Sequence, residues 1–189
     1  MHIRFSRSLI LASALIVAAP AMVAANHHHM SNPSVGGAPM MAGKTIVENA
    51  SAAPNLTTLV AAVKAAGLVD TLASPGPFTV FAPTNTAFEK LPEGTVGTLV
   101  KPENKGTLTT ILTYHVVAGK LTAKDVMAAI KAGGGKATLT TVAGAKITAR
   151  LSGNSIVITD GKGGQSAVTT ADVMQSNGVV HVIDSVLLP

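Results

Sequence analysis

The sequence contains no cysteine in its 189 residues. Disulfides are therefore excluded, and burial of apolar side chains has to supply the stability of any folded part. The absence of cysteine also excludes a lipid anchor attached to an N-terminal cysteine. Charge is scarce as well, since charged residues make up 12% of the chain and apolar residues 47%. This composition excludes the highly charged, disordered class of protein for most of the length.

Aromatic residues are also few, and the chain has only five. They are Phe5, Phe78, Phe81, Phe88 and Tyr114. The core is therefore expected to consist of Val, Leu, Ile and Ala. Basic residues outnumber acidic ones, 14 to 9, but the lysines are dispersed and are not interleaved with aromatic residues. The sequence therefore gives little support for nucleic-acid binding.

The N-terminus has the layout of a secretory signal peptide. Arg4 and Arg7 precede an apolar run over residues 9–19, and a proline and small residues follow up to Ala25. The run is shorter than the roughly 20 apolar residues that a membrane helix needs. We predict a signal peptide over 1–25, and its cleavage would lower the net charge from +5 to +3. The mature protein is then exported to the periplasm, the extracellular space or the cell surface, without a stable membrane span.

Residues 26–43 are rich in Gly, Pro, Ser and Asn and show no hydrophobic periodicity. This composition predicts a flexible linker with too little apolar surface to pack. Near its start lie His27, His28 and His29. Cleavage after Ala25 would place His28 third from a free amine, where the amine, the intervening amides and the imidazole can chelate Cu(II) or Ni(II) in a square plane. A solvated polar tail is the other interpretation, because short histidine tracts are only compositional hints.

Residues 44–189 are predicted to form one domain, and its first half is mainly helical. Apolar residues recur at i, i+3, i+4 and i+7 from Leu56 to Val63, which is the pattern of an amphipathic helix. Gly67 predicts the end of this helix. Thr122 and Asp125 have the spacing of a capping box and predict the start of another helix.

Strand patterns dominate the second half of this domain. Period-two alternation begins at Lys136 and predicts short strands over 137–140, 147–151 and 156–159. The almost wholly apolar run from Val179 to Leu187 predicts a central strand that is covered on both faces. Helices first and strands later are typical of an α+β domain.

Two stretches resemble the two signature motifs of fasciclin domains. The first is residues 76–88, GPFTVFAPTNTAF, and the second is residues 176–189, SNGVVHVIDSVLLP. Tyr114-His115 matches the tyrosine-histidine pair of the same family, and the resemblance spans residues 44–189. It implies an α+β fold, a fasciclin-like wedge in which a β-sandwich has helices packed along one edge. It also implies a secreted or surface-anchored protein that takes part in cell adhesion and binds a cell-surface or matrix protein or polysaccharide.

The same resemblance implies candidate partner-binding residues. Asp172 and Val173, followed by Met174, correspond to a segment implicated in integrin binding in animal members, and Tyr114 and His115 to a pair linked to adhesion. Taken by itself, this pair and the two valines after it form a strand-like run, and strand alternation places one member inward. We favour a structural role for the pair, because an isolated aromatic residue in a strand usually packs.

Only His115, His181 and Asp184 invite a catalytic hypothesis. In an extended strand His181 and Asp184 point to opposite faces and form no dyad. We expect the histidines to bond to the backbone and Asp184 to bond to neighbouring amides, and we predict neither enzyme activity nor a cofactor. A hydrolase would require a pocket in which a histidine meets a Ser or an Asp. The main hypothesis is an exported adhesion or surface-interaction domain, and the alternative is a periplasmic metal or small-ligand binding protein that uses the histidine tract.

Two loops have recognisable turn compositions. Asn177-Gly178 predicts a turn, because both residues tolerate positive φ, and Asp172 is a candidate brace for it. Residues 161–164 lack the spacing of a phosphate-binding loop and predict a flexible hairpin tip.

Overall fold

A computed structural model describes residues 33–189. The predicted signal peptide over 1–25, its cleavage site and the tract His27, His28 and His29 lie outside the described residues, and these predictions stay predictions. Within residues 33–189, no helix is long and apolar enough to cross a membrane.

The described part of the predicted linker, residues 33–43, is folded, so the prediction is wrong for this part. Strands β1 (Ser34–Val35) and β2 (Ala38–Pro39) form a hairpin whose two turn glycines both have positive φ, as a type I′ turn requires. The side chains of Val35 and Met40 lie in the core, only 3% and 2% exposed. A side-chain amide of the first helix makes two hydrogen bonds to the backbone just after the hairpin. Residues distant in sequence thus supply the apolar contacts that the linker composition lacks.

The first half of the described chain is mainly helical, as predicted. Residues 33–189 contain α1 (Ile46–Ala52), α2 (Thr57–Ala66), α3 (Val69–Ala73), α4 (Asn85–Glu89), α5 (Thr95–Leu99), α6 (Lys105–Tyr114) and α7 (Ala123–Ala132), with a 3₁₀ turn at Pro102–Asn104. The helix predicted from Leu56 onward is α2, and it ends at Gly67, whose φ of 72° is left-handed. The predicted capping box of Thr122 and Asp125 is present at the start of α7.

The remaining strands form one mixed sheet. They are β3 (Phe78–Pro83), β4 (Val116–Ala118), β5 (Lys136–Thr140), β6 (Lys146–Ser152), β7 (Ser155–Thr159), β8 (Gln165–Gln175) and β9 (Gly178–Ile183), in the order β4-β3-β9-β8-β7-β6-β5. Only the β3–β9 pair is parallel among these neighbours. A bridge between Val117 and Thr141 joins the two ends of the sheet, which therefore curls towards a barrel. The predicted α+β class is confirmed.

Strand β9 is central, as predicted, with β3 on one side and β8 on the other. All six of its residues are buried. The strand is shorter than the predicted run from Val179 to Leu187, because the chain leaves the sheet after Ile183. The last residues instead bond to side chains at the end of α6 and in the β7–β8 loop.

Two apolar clusters hold these layers together. The first joins the N-terminal hairpin and helices α1, α2, α3 and α6 to strands β3 and β9. The second joins α7 to the inner faces of β5, β6 and β7. The first cluster contains a cavity of about 40 Å³ with an almost wholly apolar lining. Leu, Val, Ile and Ala dominate both clusters, as the scarcity of aromatic residues predicts.

Candidate functional site

The tyrosine-histidine pair lies at the end of a helix, so its predicted place in a strand is wrong. Tyr114 is the last residue of α6, His115 is its C-cap, and β4 begins only at Val116. Strand alternation therefore does not apply, and both side chains point inward, 0% and 2% exposed. The pair as such presents no adhesive surface.

The Tyr114 hydroxyl bonds to two chain segments of the strand half. It donates to the carbonyl oxygen of Lys146, at 3.2 Å, and accepts from the amide of Gly161, at 2.8 Å. Burial raises the pKa of Tyr114, the hydrogen bond from Gly161 opposes this, and the nearby Asp160 carboxylate adds to it. The hydroxyl therefore stays protonated and fixes the start of the β7–β8 loop.

The His115 ring joins α6 to the end of the chain. The Leu187 amide donates to Nε2 at 2.9 Å, and Nδ1 lies 2.8 Å from the Ile111 carbonyl oxygen. Since an amide can only donate, Nε2 accepts and the ring proton lies on Nδ1, which donates to Ile111. Burial lowers the pKa of His115 to about 4, although the Ile111 bond and Asp160 oppose this. The ring is neutral at pH 7.

Asp160 completes this arrangement from the β7–β8 loop. Its Oδ1 accepts from the amides of Lys162 and Gly164, and its Oδ2 accepts from the amide of Leu188. The loop predicted as a flexible hairpin tip is thus held by a buried carboxylate. Together Tyr114, His115 and Asp160 hold this loop and the C-terminal residues, and we call these three side chains the C-terminal clamp.

The segment Asp172–Met174 is mostly turned into the protein. Asp172 has a φ of 57° at a register shift of β8, a left-handed conformation that Asp tolerates. Its Oδ1 accepts from the Ala123 amide at 2.7 Å, so it braces the start of α7, and the predicted brace of the Asn177-Gly178 turn is wrong. Val173 is 1% exposed, whereas Asp172 and Met174 are half-buried.

His181 and Asp184 do not meet as a pair. His181 accepts from the Asp172 amide through Nδ1, at 3.3 Å, so its Nε2 proton is donated to the Leu121 carbonyl, at 2.9 Å. Its ring also stacks on Phe81, with centroids 5.6 Å apart. Burial lowers the pKa of His181, although the Leu121 bond and Asp172 oppose this. The predicted backbone bonding of both histidines is confirmed.

The carboxylate of Asp184 bonds to groups that lie beside it in the fold. Its Oδ1 accepts from the Ala167 amide at 2.9 Å, and Oδ2 lies 3.5 Å from the Lys90 ammonium. Burial alone favours the protonated carboxyl, but the hydrogen bonds from Ala167, Ser185 and Ser166 and the charge of Lys90 outweigh it and lower the pKa of Asp184. This bonding to a neighbouring amide is the one predicted.

Asn177 is a structural centre, although the sequence pattern around it predicts only a turn. Its Oδ1 accepts from the Ile46 amide at 3.0 Å, and its Nδ2 donates to the carbonyls of Leu72 and Ser74, at 2.7 and 3.0 Å. The two-residue turn between β8 and β9 consists of Ser176 and Asn177. The residue thus joins this turn to α1 and α3. The sequence offers no local signal for these bonds, because their partners lie about a hundred residues away.

The apolar cavity of the first cluster provides no nucleophile beside a histidine. The apolar cavity reaches His115, and its other polar lining residues are Asn49, Lys64 and Gln175, without a Ser or an Asp. Among residues 33–189, no group of three His, Cys, Asp or Glu side chains is placed to hold a metal ion.

Comparison with known proteins identifies the family. A family model for the fasciclin domain matches residues 54–189. Protein sll1483 of Synechocystis is 48% identical over 145 residues, which cover 77% of this chain and 73% of that protein. Cell surface glycolipoprotein MPB83 of Mycobacterium bovis is 34% identical over 154 residues, which cover 79% of this chain and 62% of that protein. The chain belongs to the fasciclin domain family.

A solved structure has the same fold. It is the FAS1 domain pair of the insect cell adhesion molecule Fasciclin I, which superposes with a TM-score of 0.70 at 22% sequence identity. The match covers 77% of this chain and about half, 51%, of the insect chain. The predicted fasciclin-like fold is confirmed, with the strands in one curled seven-stranded sheet.

Proposed function

We propose that this protein is an exported, non-enzymatic binding domain that mediates adhesion or another interaction at a cell surface. The observation that carries the proposal is the fasciclin domain, which occupies residues 54–189. A relative that is 34% identical bears a name that places it at the cell surface. Such relatives support a role in recognition for this chain.

The bonding of the candidate catalytic side chains supports a non-enzymatic role. Both ring nitrogens of His115 and of His181 bond to backbone groups, so neither ring has a nitrogen left to accept a proton from a nucleophile. The carboxylate of Asp184 bonds to an amide and a lysine. These groups maintain the fold.

Of the five predicted partner-binding residues, only Asp172 and Met174 have accessible side chains. We propose that these two can touch a partner. Tyr114, His115 and Val173 are buried beneath the surface and act only by holding it in shape.

Cell attachment tests this function. A strain that lacks the protein is compared with strains that re-express the wild type, Met174→Ala or Met127→Ala, with folding of each purified variant checked by thermal unfolding. Met127 is the matched control, because it is a half-buried methionine on helix α7.

We expect deletion to reduce attachment, and wild type and Met127→Ala to restore it. A folded Met174→Ala protein should restore it only in part. Unchanged attachment after deletion would overturn the adhesion function. Full restoration by Met174→Ala would remove Met174 from the contact surface and leave the function itself standing.

A further inference from the structure

Acidic residues are scarce in the part of the described chain that contains strands β5, β6 and β7. Residues 33–105 contain five lysines and five acidic residues, so their charges balance. Residues 106–189 contain seven basic and four acidic residues. From 126 to 171 the only acidic residue is Asp160, whose oxygens accept three amide hydrogen bonds. The strands of this region therefore have no free carboxylate to offset their lysines and arginine.

Three of these basic side chains lie on one face of the sheet. In β5 and β6 the residues alternate between buried and outward-facing, and Lys136, Lys146 and Arg150 belong to the outward set. The inward set, which includes Leu139 and Ile147, packs against α7. All three basic side chains are exposed to solvent.

Two of these charges repel each other directly. Lys136 and Arg150 are cross-strand partners in the β5–β6 register. Like charges directly opposite each other destabilise a sheet. In the described part of the chain, neither residue forms a salt bridge or has a hydrogen-bonded side chain that would offset this repulsion. An unfavourable pair of like charges that no other group in the protein offsets is expected where a surface binds a ligand.

Hydroxyl groups fill the space between the charges. Thr138 is paired with Thr148, which is in turn paired with Thr159 on β7, and Thr140 is paired with Lys146. None of these four threonine hydroxyls bonds within residues 33–189, so each remains available as donor and acceptor. Strands β5, β6 and β7 contain no aromatic residue.

We propose that this face binds a linear anionic polysaccharide. We define the cationic face as Lys136, Lys146 and Arg150 with the hydroxyls of Thr138, Thr140, Thr148 and Thr159. The inference rests on the proposed surface function and names the chemistry of its partner.

Each part of the cationic face matches one part of this ligand. The basic groups bind its carboxylate or sulfate groups, and the threonines bind its sugar hydroxyls. Lys146 and Arg150 are four residues apart on one strand, roughly 13 Å, which exceeds a single sugar ring and favours a polymer. The absence of aromatic residues on these strands disfavours stacked nucleic-acid bases.

The test is binding of the purified mature protein to immobilised alginate, a linear polyuronate, with neutral dextran as the uncharged control. The first variant combines Lys136→Gln, Lys146→Gln and Arg150→Gln. A matched variant combines Lys64→Gln, Lys101→Gln and Lys105→Gln, three exposed lysines of the helical half, and changes the net charge equally. A third variant, Lys136→Arg, Lys146→Arg and Arg150→Lys, keeps every charge on the cationic face. Thermal unfolding verifies that each variant is folded.

We expect the wild type to bind alginate but not dextran, and high salt to weaken the binding because it screens surface charges. Loss of the three face charges should weaken binding roughly ten-fold, while the matched variant stays within about two-fold and the charge-keeping variant binds like the wild type. The inference is overturned by absent alginate binding or by equal weakening in the matched variant. It is also overturned by tighter binding to phosphatidylglycerol vesicles or to single-stranded DNA.

The two proposals fail separately. If the protein does not bind alginate but its deletion reduces attachment, only the polysaccharide proposal is overturned. If the protein binds alginate but its deletion leaves attachment unchanged, only the adhesion proposal is overturned.

Discussion

The polar side chains of the fasciclin motifs and those of the cationic face differ in both burial and bonding. Tyr114, His115, Asn177 and His181 are at most 7% exposed, and every one bonds to backbone groups. The basic side chains of the cationic face are exposed, and two of them oppose each other without a salt bridge in the described chain. Removing the hydrogen-bond partner of a buried polar group costs the protein several times more stability than removing the partner of an exposed one. The motif residues therefore maintain the fold, and the proposed recognition is assigned to surface residues outside the motifs.

The largest expected effect comes from Asn177, whose side chain makes three hydrogen bonds to α1 and α3. Asn177→Ala would leave one buried amide and two carbonyls without these bonds. At about 1–3 kcal/mol for each buried unsatisfied group, we expect a loss of about 3–5 kcal/mol in the free energy of unfolding, measured by urea denaturation.

The control for this variant is Asn154→Ala, which changes an exposed asparagine in the turn between β6 and β7. Its effect should stay within about 0.5 kcal/mol. Similar losses in both variants would remove the distinction between motif residues and other turn residues.

The next effect concerns pH and the C-terminal clamp. The pKa of His115 is about 4 in the folded protein and 6.5 when exposed. Between these values the unfolded chain binds the proton and the folded chain does not. The contribution of this group to the free energy of unfolding is therefore fully present above pH 6.5. It is lost as the pH drops towards 4, and the loss amounts to about 3 kcal/mol. His181, whose pKa is also lowered, acts in the same direction.

His115→Gln separates this contribution, because its neutral amide does not titrate. Urea denaturation of the variant should show lower stability at pH 7 but a shallower decline from pH 6.5 to 4 than the wild type. The carboxyls with lowered pKa, Glu48, Asp125 and Asp184, begin to lose their contributions near their exposed values of 4.5 and 3.8, at the lower end of this window. This loss is common to variant and wild type, so it cancels when their slopes are compared. Equal slopes for variant and wild type would show that His115 is not the buried neutral group described here.

Much of the fold follows from patterns within a few residues. The α2 stripe ends at a glycine with left-handed φ, and the α7 capping box joins Thr122 to Asp125. Strands β5, β6 and β7 show their period of two because one face packs against α7. In each case the interaction that forms the element lies inside the element or on one continuous face.

The predictions that the structure contradicts concern residues whose partners are distant in sequence. Tyr114 and His115 read as strand because two valines follow, yet the α6 turn extends to them and Leu187 bonds to the histidine ring 72 residues away. Residues 33–43 have a linker composition, yet Val35 and Met40 find a core built by later helices. A Gly-Gly pair between short apolar residues is a hairpin signal that could have indicated the fold of this segment.

A smaller effect is expected from the tyrosine of the clamp. Tyr114→Phe keeps the ring in place and removes the hydroxyl that joins Gly161 to Lys146. We expect a loss of about 1–2 kcal/mol, since one partly buried amide and one carbonyl lose a partner. Hydrogen exchange should show faster exchange at the amides of residues 161–164. A destabilised variant with unchanged exchange in this loop would mean that the hydroxyl does not hold it.

The smallest expected effect is a change in stability when a charge of the cationic face is removed. Lys136→Gln removes one member of the like-charge pair with Arg150, so the free energy of unfolding should rise by about 0.2–1 kcal/mol at low salt. The gain should shrink at high salt, because these exposed charges are screened. Lys101→Gln, which has no cross-strand partner, should leave stability nearly unchanged. A gain of stability combined with weaker alginate binding would show that the repulsion is retained for recognition, whereas a loss of stability would mean that Lys136 supports the fold, as the motif residues do.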